Sequence, residues 1–126
     1  MVSEINKHNL TDAIGLKFIG CHGFCQRGPI VIVEPEGIFY SEVKAEDAIE
    51  IIESHIMRDR PVERLFYHDP QTNLPVPYYS DIDFYKHQQR IVVLRNCGHI
   101  DPENIDDYLK IGGYEALRKV LFEMKP

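Results

Sequence analysis

Two cysteines separated by three residues, Cys21 and Cys25, lie in a loop punctuated by Gly20, Gly23 and Gly28, and Pro29 leads from it into an unbroken apolar run, Ile30–Val33. No other feature constrains the fold as much. The glycines let the chain turn sharply around the two thiols. The β-branched run that follows predicts a strand of the kind buried on both faces. Pro35-Glu36-Gly37 then predicts a turn and Ile38–Val43 a returning strand, so a β-hairpin follows the cysteine loop without a spacer.

Helices flank this nucleus. Ser3–Leu10 predicts a short helix with Ile5 and Val2 turned inward, too short to be stable without a packing surface. Leu16–Ile19 reads as a strand ending at Gly20. Ala45 to Arg58 carries the strongest helical pattern, with Ala45, Ala48, Ile49, Ile52 and Ile56 on one stripe. Glu46 and Asp47 sit in its first turn and Arg58 near its last, as the helix dipole favours, and Pro61 stops it.

From His68 to Gln89 the periodicity dissolves. Prolines 70, 75 and 77 break regular structure while Tyr78, Tyr79 and Tyr85 decorate the stretch, which reads as an ordered linker lying on a surface. Ile91–Leu94 is a short extended segment. Asp101-Pro102 predicts a helix start with Ile105, Tyr108 and Leu109 on its apolar face, and Gly112-Gly113 its end. A last helix, Tyr114–Met124, places Tyr114, Leu117, Val120, Leu121 and Met124 on one side.

Composition removes several function classes. A formal charge of -6 with scattered basic residues argues against nucleic acid as a partner. No apolar run approaches the roughly 20 residues of a membrane-spanning helix, so no membrane insertion is expected. The N-terminus has neither the basic region nor the apolar core of a secretory signal. Three cysteines, two of them close neighbours, do not make a dispersed disulfide framework, which points to the reducing cytoplasm and to metal or redox chemistry.

Thiolates are the usual ligands of iron–sulfur clusters, and a loop holding two of them on one iron must turn backbone N–H groups toward sulfur. Other readings stand beside this one. A three-cysteine radical-type motif fails because Gly28 stands where the third cysteine belongs. A dithiol redox pair prefers two intervening residues at a helix start. A zinc site could use Cys21, Cys25 and Cys97 with His22 or His99. Against that, Cys97 also fits a small buried hydrophobe. His22 reads either as a donor to cluster sulfur or as an exposed loop residue, and Arg27 either as a counter-charge to a cluster or as a solvated cation. The sequence holds no phosphate loop, dinucleotide fingerprint or nucleophile elbow.

The run Gly20–Tyr40 resembles the second half of a thioredoxin-like [2Fe-2S] ferredoxin domain, in the form fused to the NADH-binding flavoprotein subunit of complex I-like NAD(P)-linked hydrogenases and formate dehydrogenases. The stretch from Gln89 through Cys97-Gly98-His99 to Pro102, with Gly112-Gly113-Tyr114-Glu115-Ala116-Leu117, is similar to the opening of the flavoprotein domain. The resemblance implies an α/β fold: a partial thioredoxin-like unit of β-hairpin plus helices (1–67), a linker (68–89), and a small helical segment opening the flavoprotein domain (90–126). It implies Cys21 and Cys25 as the second of two ligand pairs for a [2Fe-2S] cluster. The first pair would lie before Met1, and the glycine-rich loops for FMN and NAD(P)H after Pro126. The chain thus reads as a piece of an electron-transfer subunit that is not catalytic by itself. Its expected partners are the other subunits of a hydrogenase, formate dehydrogenase or complex I-like assembly, or a second copy in a homodimer. A non-catalytic assembly module is the alternative, with the zinc-stabilised domain beside it.

Overall fold

A computed structural model describes residues 1–21, 23–87 and 95–125. The chain divides into two compact units, one of residues 1–16 and 23–87, the other of residues 17–21 and 95–125. The architecture is mixed α/β, with short helices and two small antiparallel sheets.

In the first unit, helix α1 (Val2–Lys7) buries Ile5 and leaves Val2 exposed. The hairpin pairs β1 (Val31–Val33) with β2 (Ile38–Tyr40), Val31 opposite Tyr40 and Val33 opposite Ile38. Gly37 turns the chain at φ 71. Alternation along β2 sends its side chains to two cores. Ile38 and Tyr40 join Val43, Ile51, Val62 and Leu65, whereas Phe39 joins Tyr67 and Ile82. The strand buried on both faces is therefore β2, and β1 is only half-buried. The reason is position. β2 is flanked by β1 on one edge and by bridges to Phe66 and Tyr78 on the other.

Those bridges come from the stretch beyond the main helix. Strand β3 (Tyr67–His68) pairs with β4 (Pro75–Val76). The Phe39 N–H donates to the Pro77 carbonyl (2.8 Å) and the Tyr79 N–H to the Gly37 carbonyl (3.0 Å). Ile82, which leads into α3 (Asp83–Lys86), is 1% exposed. The proline- and tyrosine-bearing segment up to residue 87 thus lies against the second edge of the hairpin.

The strongest predicted helix forms as α2 (Asp47–Glu50) followed by a π-helical segment, Ile51–Ile56, with the buried face rotated from the predicted stripe, of which Ala48 and Ile52 stay inside and Ile56 is half-buried. Asp47, Ala48, Ile51, Ile52 and His55 are buried, while Ala45 and Ile49 are exposed. Polar bonds set this rotation. The buried His55 Nδ1 lies 2.8 Å from Tyr40 Oη, which also accepts the Val62 N–H at 2.9 Å. Asp47 accepts the Lys44 N–H at 2.7 Å and pairs with Arg64 at 2.6 Å. The Lys44 amide and Arg64 hold the Asp47 carboxyl below its ordinary range. The wider π turn brings His55 beneath the Tyr40 hydroxyl.

The predicted strand at Leu16–Ile19 does not form; Phe18 is 70% exposed and no described residue pairs with the segment. A β-branched pattern makes a strand only where a neighbour completes its ladder. The second unit has helices α4 (Ile105–Lys110) and α5 (Glu115–Glu123). α4 begins at Asn104, whose side chain accepts the Asp106 N–H at 3.0 Å, later than the Asp101-Pro102 start predicted above. The Asp101 carboxylate instead closes a local turn on the Glu103 N–H at 2.9 Å. Gly112, at φ 84, ends α4. Buried Asp107 accepts from Lys17 (3.0 Å), Lys110 (3.4 Å) and the Asp101 N–H (3.3 Å), tying residues 17–21 to α4. Lys17 is the main reason the Asp107 carboxyl lies below its ordinary range. Leu117, Val120, Leu121 and Phe122 of α5 are exposed. Among the described residues no helix is long and apolar enough to cross a membrane. The expectations for His22 and for Ile91–Leu94 lie outside the described residues.

Candidate functional site

Cys25 opens a single 3-10 turn, Cys25–Arg27, held by the Arg27 N–H on the Phe24 carbonyl (3.0 Å) and the Gly28 N–H on the Cys25 carbonyl (3.3 Å). Gly23, at φ 87, makes the preceding bend; an added Cβ there would meet the Phe84 ring at 3.6 Å in strained backbone. After the turn the chain runs through Gly28-Pro29, a cis peptide, into β1.

The turn is fixed from both sides of Cys25. Phe24, immediately before it, is the apolar anchor. Its ring stacks on Phe84 (centroids 4.4 Å, 9°) and meets Tyr67 and Tyr85 edge-on at 5.4 and 5.8 Å. Arg27, two residues after it, lies 5.5 Å over the same Tyr67 ring and pairs with Glu42 at 3.1 Å. The Glu42 and Val43 amides donate to the Arg27 and Pro29 carbonyls at 2.9 and 3.0 Å. Buried Tyr67 is therefore a shared platform for the residues on either side of Cys25. Arg27 pairs with Glu42 while remaining partly exposed.

These anchors carry only a faint sequence signal. Phe24 is the one large apolar residue in a polar, glycine-bearing loop. Its partners Tyr67, Phe84 and Tyr85 are distant in sequence and fall in or beside the stretch without periodicity.

Cys21 and Cys25 are both exposed, and Cys97 is half-buried. Cys25 belongs to the first unit, Cys21 and Cys97 to the second. Among the described residues no three His, Cys, Asp or Glu side chains gather as a metal site would require. Cys25 stands exposed at the start of the braced turn. An open cleft next to the turn is lined by Arg27, Lys44, Asp47, Arg64, Tyr67 and His68. Asp47 and Glu50 already engage Arg64, so its charge is met within the protein.

No family model matches the chain. Over 64 residues it is 42% identical to a protein named 2Fe-2S ferredoxin from Clostridium pasteurianum, a match covering 51% of this chain and 63% of that one. Over 46 residues it is 50% identical to a protein of the same name from Aquifex aeolicus, covering 36% of this chain and 41% of the relative. Over 36 residues it is 64% identical to the NADP-reducing hydrogenase subunit HndC of Solidesulfovibrio fructosivorans, which is 29% of this chain and 7% of that subunit. The chain thus spans less than two thirds of the length of each of these relatives.

Proposed function

We propose that this chain is an electron-transfer module in which Cys21 and Cys25 supply two of the four thiolates of a [2Fe-2S] cluster, as part of a multisubunit assembly of the NAD(P)-reducing hydrogenase type. The observation that carries the reading is the exposed Cys25 on a turn braced at Phe24 and Arg27. The likeness to two proteins named 2Fe-2S ferredoxin and to a hydrogenase subunit supports it. A bound cluster supplies one-electron chemistry. This chain's part is to hold two sulfurs in place and to keep a neutralised, polar rim beside them. In this reading the remaining two thiolates lie outside these 126 residues, in a preceding segment, a second copy or a partner subunit. FMN and NAD(P)H belong, in this reading, to other parts of the assembly.

The exposed apolar side chains of α5 favour one alternative, a docking module for larger subunits with no cluster of its own. A visible spectrum of anaerobically purified protein, with iron, sulfide and zinc measured on the same sample, separates the readings. The proposal expects brown protein with equimolar iron and sulfide, lost in Cys21→Ser and Cys25→Ser and kept in Cys97→Ser. Colourless protein whose bound zinc disappears in Cys97→Ser would replace it with a zinc-stabilised domain. Metal-free protein would leave the docking module.

A further inference from the structure

The two thiols of the pair stand on different footings. Cys25 is braced within its own turn, by the Phe24 ring on one side and by Arg27 over Tyr67 on the other. Cys21 belongs instead, with residues 17–20, to the unit that contains α4 and α5. Lys17 ties that segment to a helix far along the chain. Its Nζ donates to Asp107 Oδ2 at 3.0 Å, across 90 positions of sequence.

Asp107 is well built to receive it. The residue lies in the first turn of α4 and is 6% exposed. A carboxylate is buried to that degree only where donors meet it. Three do so here. The Asp101 N–H reaches Oδ2 at 3.3 Å, Lys110 reaches Oδ1 at 3.4 Å, and Lys17 makes the shortest of the three bonds. Asp101 and Lys110 are local, one just before α4 and the other one turn along it, so they set the carboxylate in place without help from residue 17. Lys17 is the donor that arrives from elsewhere in the chain. It is also the main reason the carboxyl stays ionised below its ordinary range.

We infer that Asp107 is a positioning residue for Cys21, acting through Lys17 on the short segment that carries the thiol. Only Phe18, Ile19 and Gly20 separate the anchored residue from Cys21, so freeing Lys17 lengthens the untethered approach to that sulfur. The two thiols then answer to different parts of the chain, Cys25 to ring packing around Tyr67 and Cys21 to a carboxylate on α4. A ligand pair works best when supporting contacts hold both sulfurs before metal arrives. The consequence for a cluster rests on the function proposed above; the anchoring of the segment does not.

Backbone 15N relaxation on the oxidised protein as purified tests the inference, in the unmodified chain, Lys17→Met and Lys17→Arg. The Lys17 side chain is 59% exposed and methionine keeps much of its stem, so neither variant threatens the fold. The order parameters of Phe18, Ile19 and Gly20 are expected near about 0.8 in the unmodified chain, below about 0.6 in Lys17→Met, and restored in Lys17→Arg. Those of Arg27 and Gly28 should not change. Rescue by arginine separates a charge-borne anchor from packing of the stem. Unchanged order in Lys17→Met would overturn the inference, because other contacts would then hold the segment. So would failure of Lys17→Arg to restore it, or an equal loss at Arg27 and Gly28. Iron and sulfide measured on the same unmodified sample judge the cluster separately: metal-free protein with the expected change in order refutes the cluster and keeps the anchor.

Discussion

Replacing Tyr40 by phenylalanine tests the core most sharply, because it deletes one oxygen and leaves the ring. The hydroxyl accepts the Val62 N–H at 2.9 Å and lies 2.8 Å from His55 Nδ1. Burial lowers the His55 pKa and raises that of Tyr40, so the histidine is neutral and the phenol donates to Nδ1. The ring contacts survive: Phe66 stacked at 6.0 Å and His55 edge-on at 5.7 Å. What is lost is a partner for two polar groups on residues that are each 4% exposed, Val62 and His55. An unsatisfied buried group costs about 1–3 kcal/mol, so Tyr40→Phe is expected to cost about 2–4 kcal/mol. That is a large part of a typical stability of roughly 5–15 kcal/mol, and corresponds to a fall in Tm of about 10 °C or more. Thermal and urea unfolding followed by far-UV circular dichroism measures it. The double variant Tyr40→Phe/His55→Leu should be less destabilised than the two single losses added together, because it removes both ends of one bond. A cost below about 0.5 kcal/mol for Tyr40→Phe would refute the buried network and with it the reason given for the rotated helix face.

The same histidine predicts the acid behaviour. Its folded-state pKa is depressed by burial, so the unfolded chain binds the extra proton first and stability falls as the pH drops below about 6.5, the ordinary histidine value. Urea midpoints from pH 8 to pH 5 should show this slope, and His55→Leu should reduce it. Phe24→Ala removes a half-buried anchor and is expected to cost about 2 kcal/mol. Amide exchange at Arg27 and Gly28 should accelerate while that in α5 is unchanged; equal acceleration throughout would mean that Phe24 does not brace the turn. At Gly113 an added Cβ would fall 2.5 Å from the Tyr108 carbonyl oxygen, so Gly113→Ala should cost about 2 kcal/mol or more. Its NMR signature should be shifted resonances around α4 and α5.

The hairpin and its turn were legible in the sequence because each rests on local chemistry: β-branched runs, a proline and a glycine placed where the backbone needs them. The end of α4 at Gly112 was legible for the same reason. The cysteine pair and its glycines also stood out at once, and they set the chemical question. The tertiary structure decided whatever depended on partners distant in the chain. Periodicity placed Ile49 on the buried stripe, but the Tyr40–His55 bond and the Asp47–Arg64 pair turned that side of the helix outward. Leu16–Ile19 has the composition of a strand, but among the described residues no neighbour makes it one. Residues 75–86 show no periodicity, yet they supply Pro77 to the edge of β2, Ile82 to the core and Phe84 to the face of Phe24. Spacing along a chain records which side chains share a face. It does not record which distant hydrogen bond or ring will claim that face, and in this protein those long-range claims fix both the core and the bracing of Cys25.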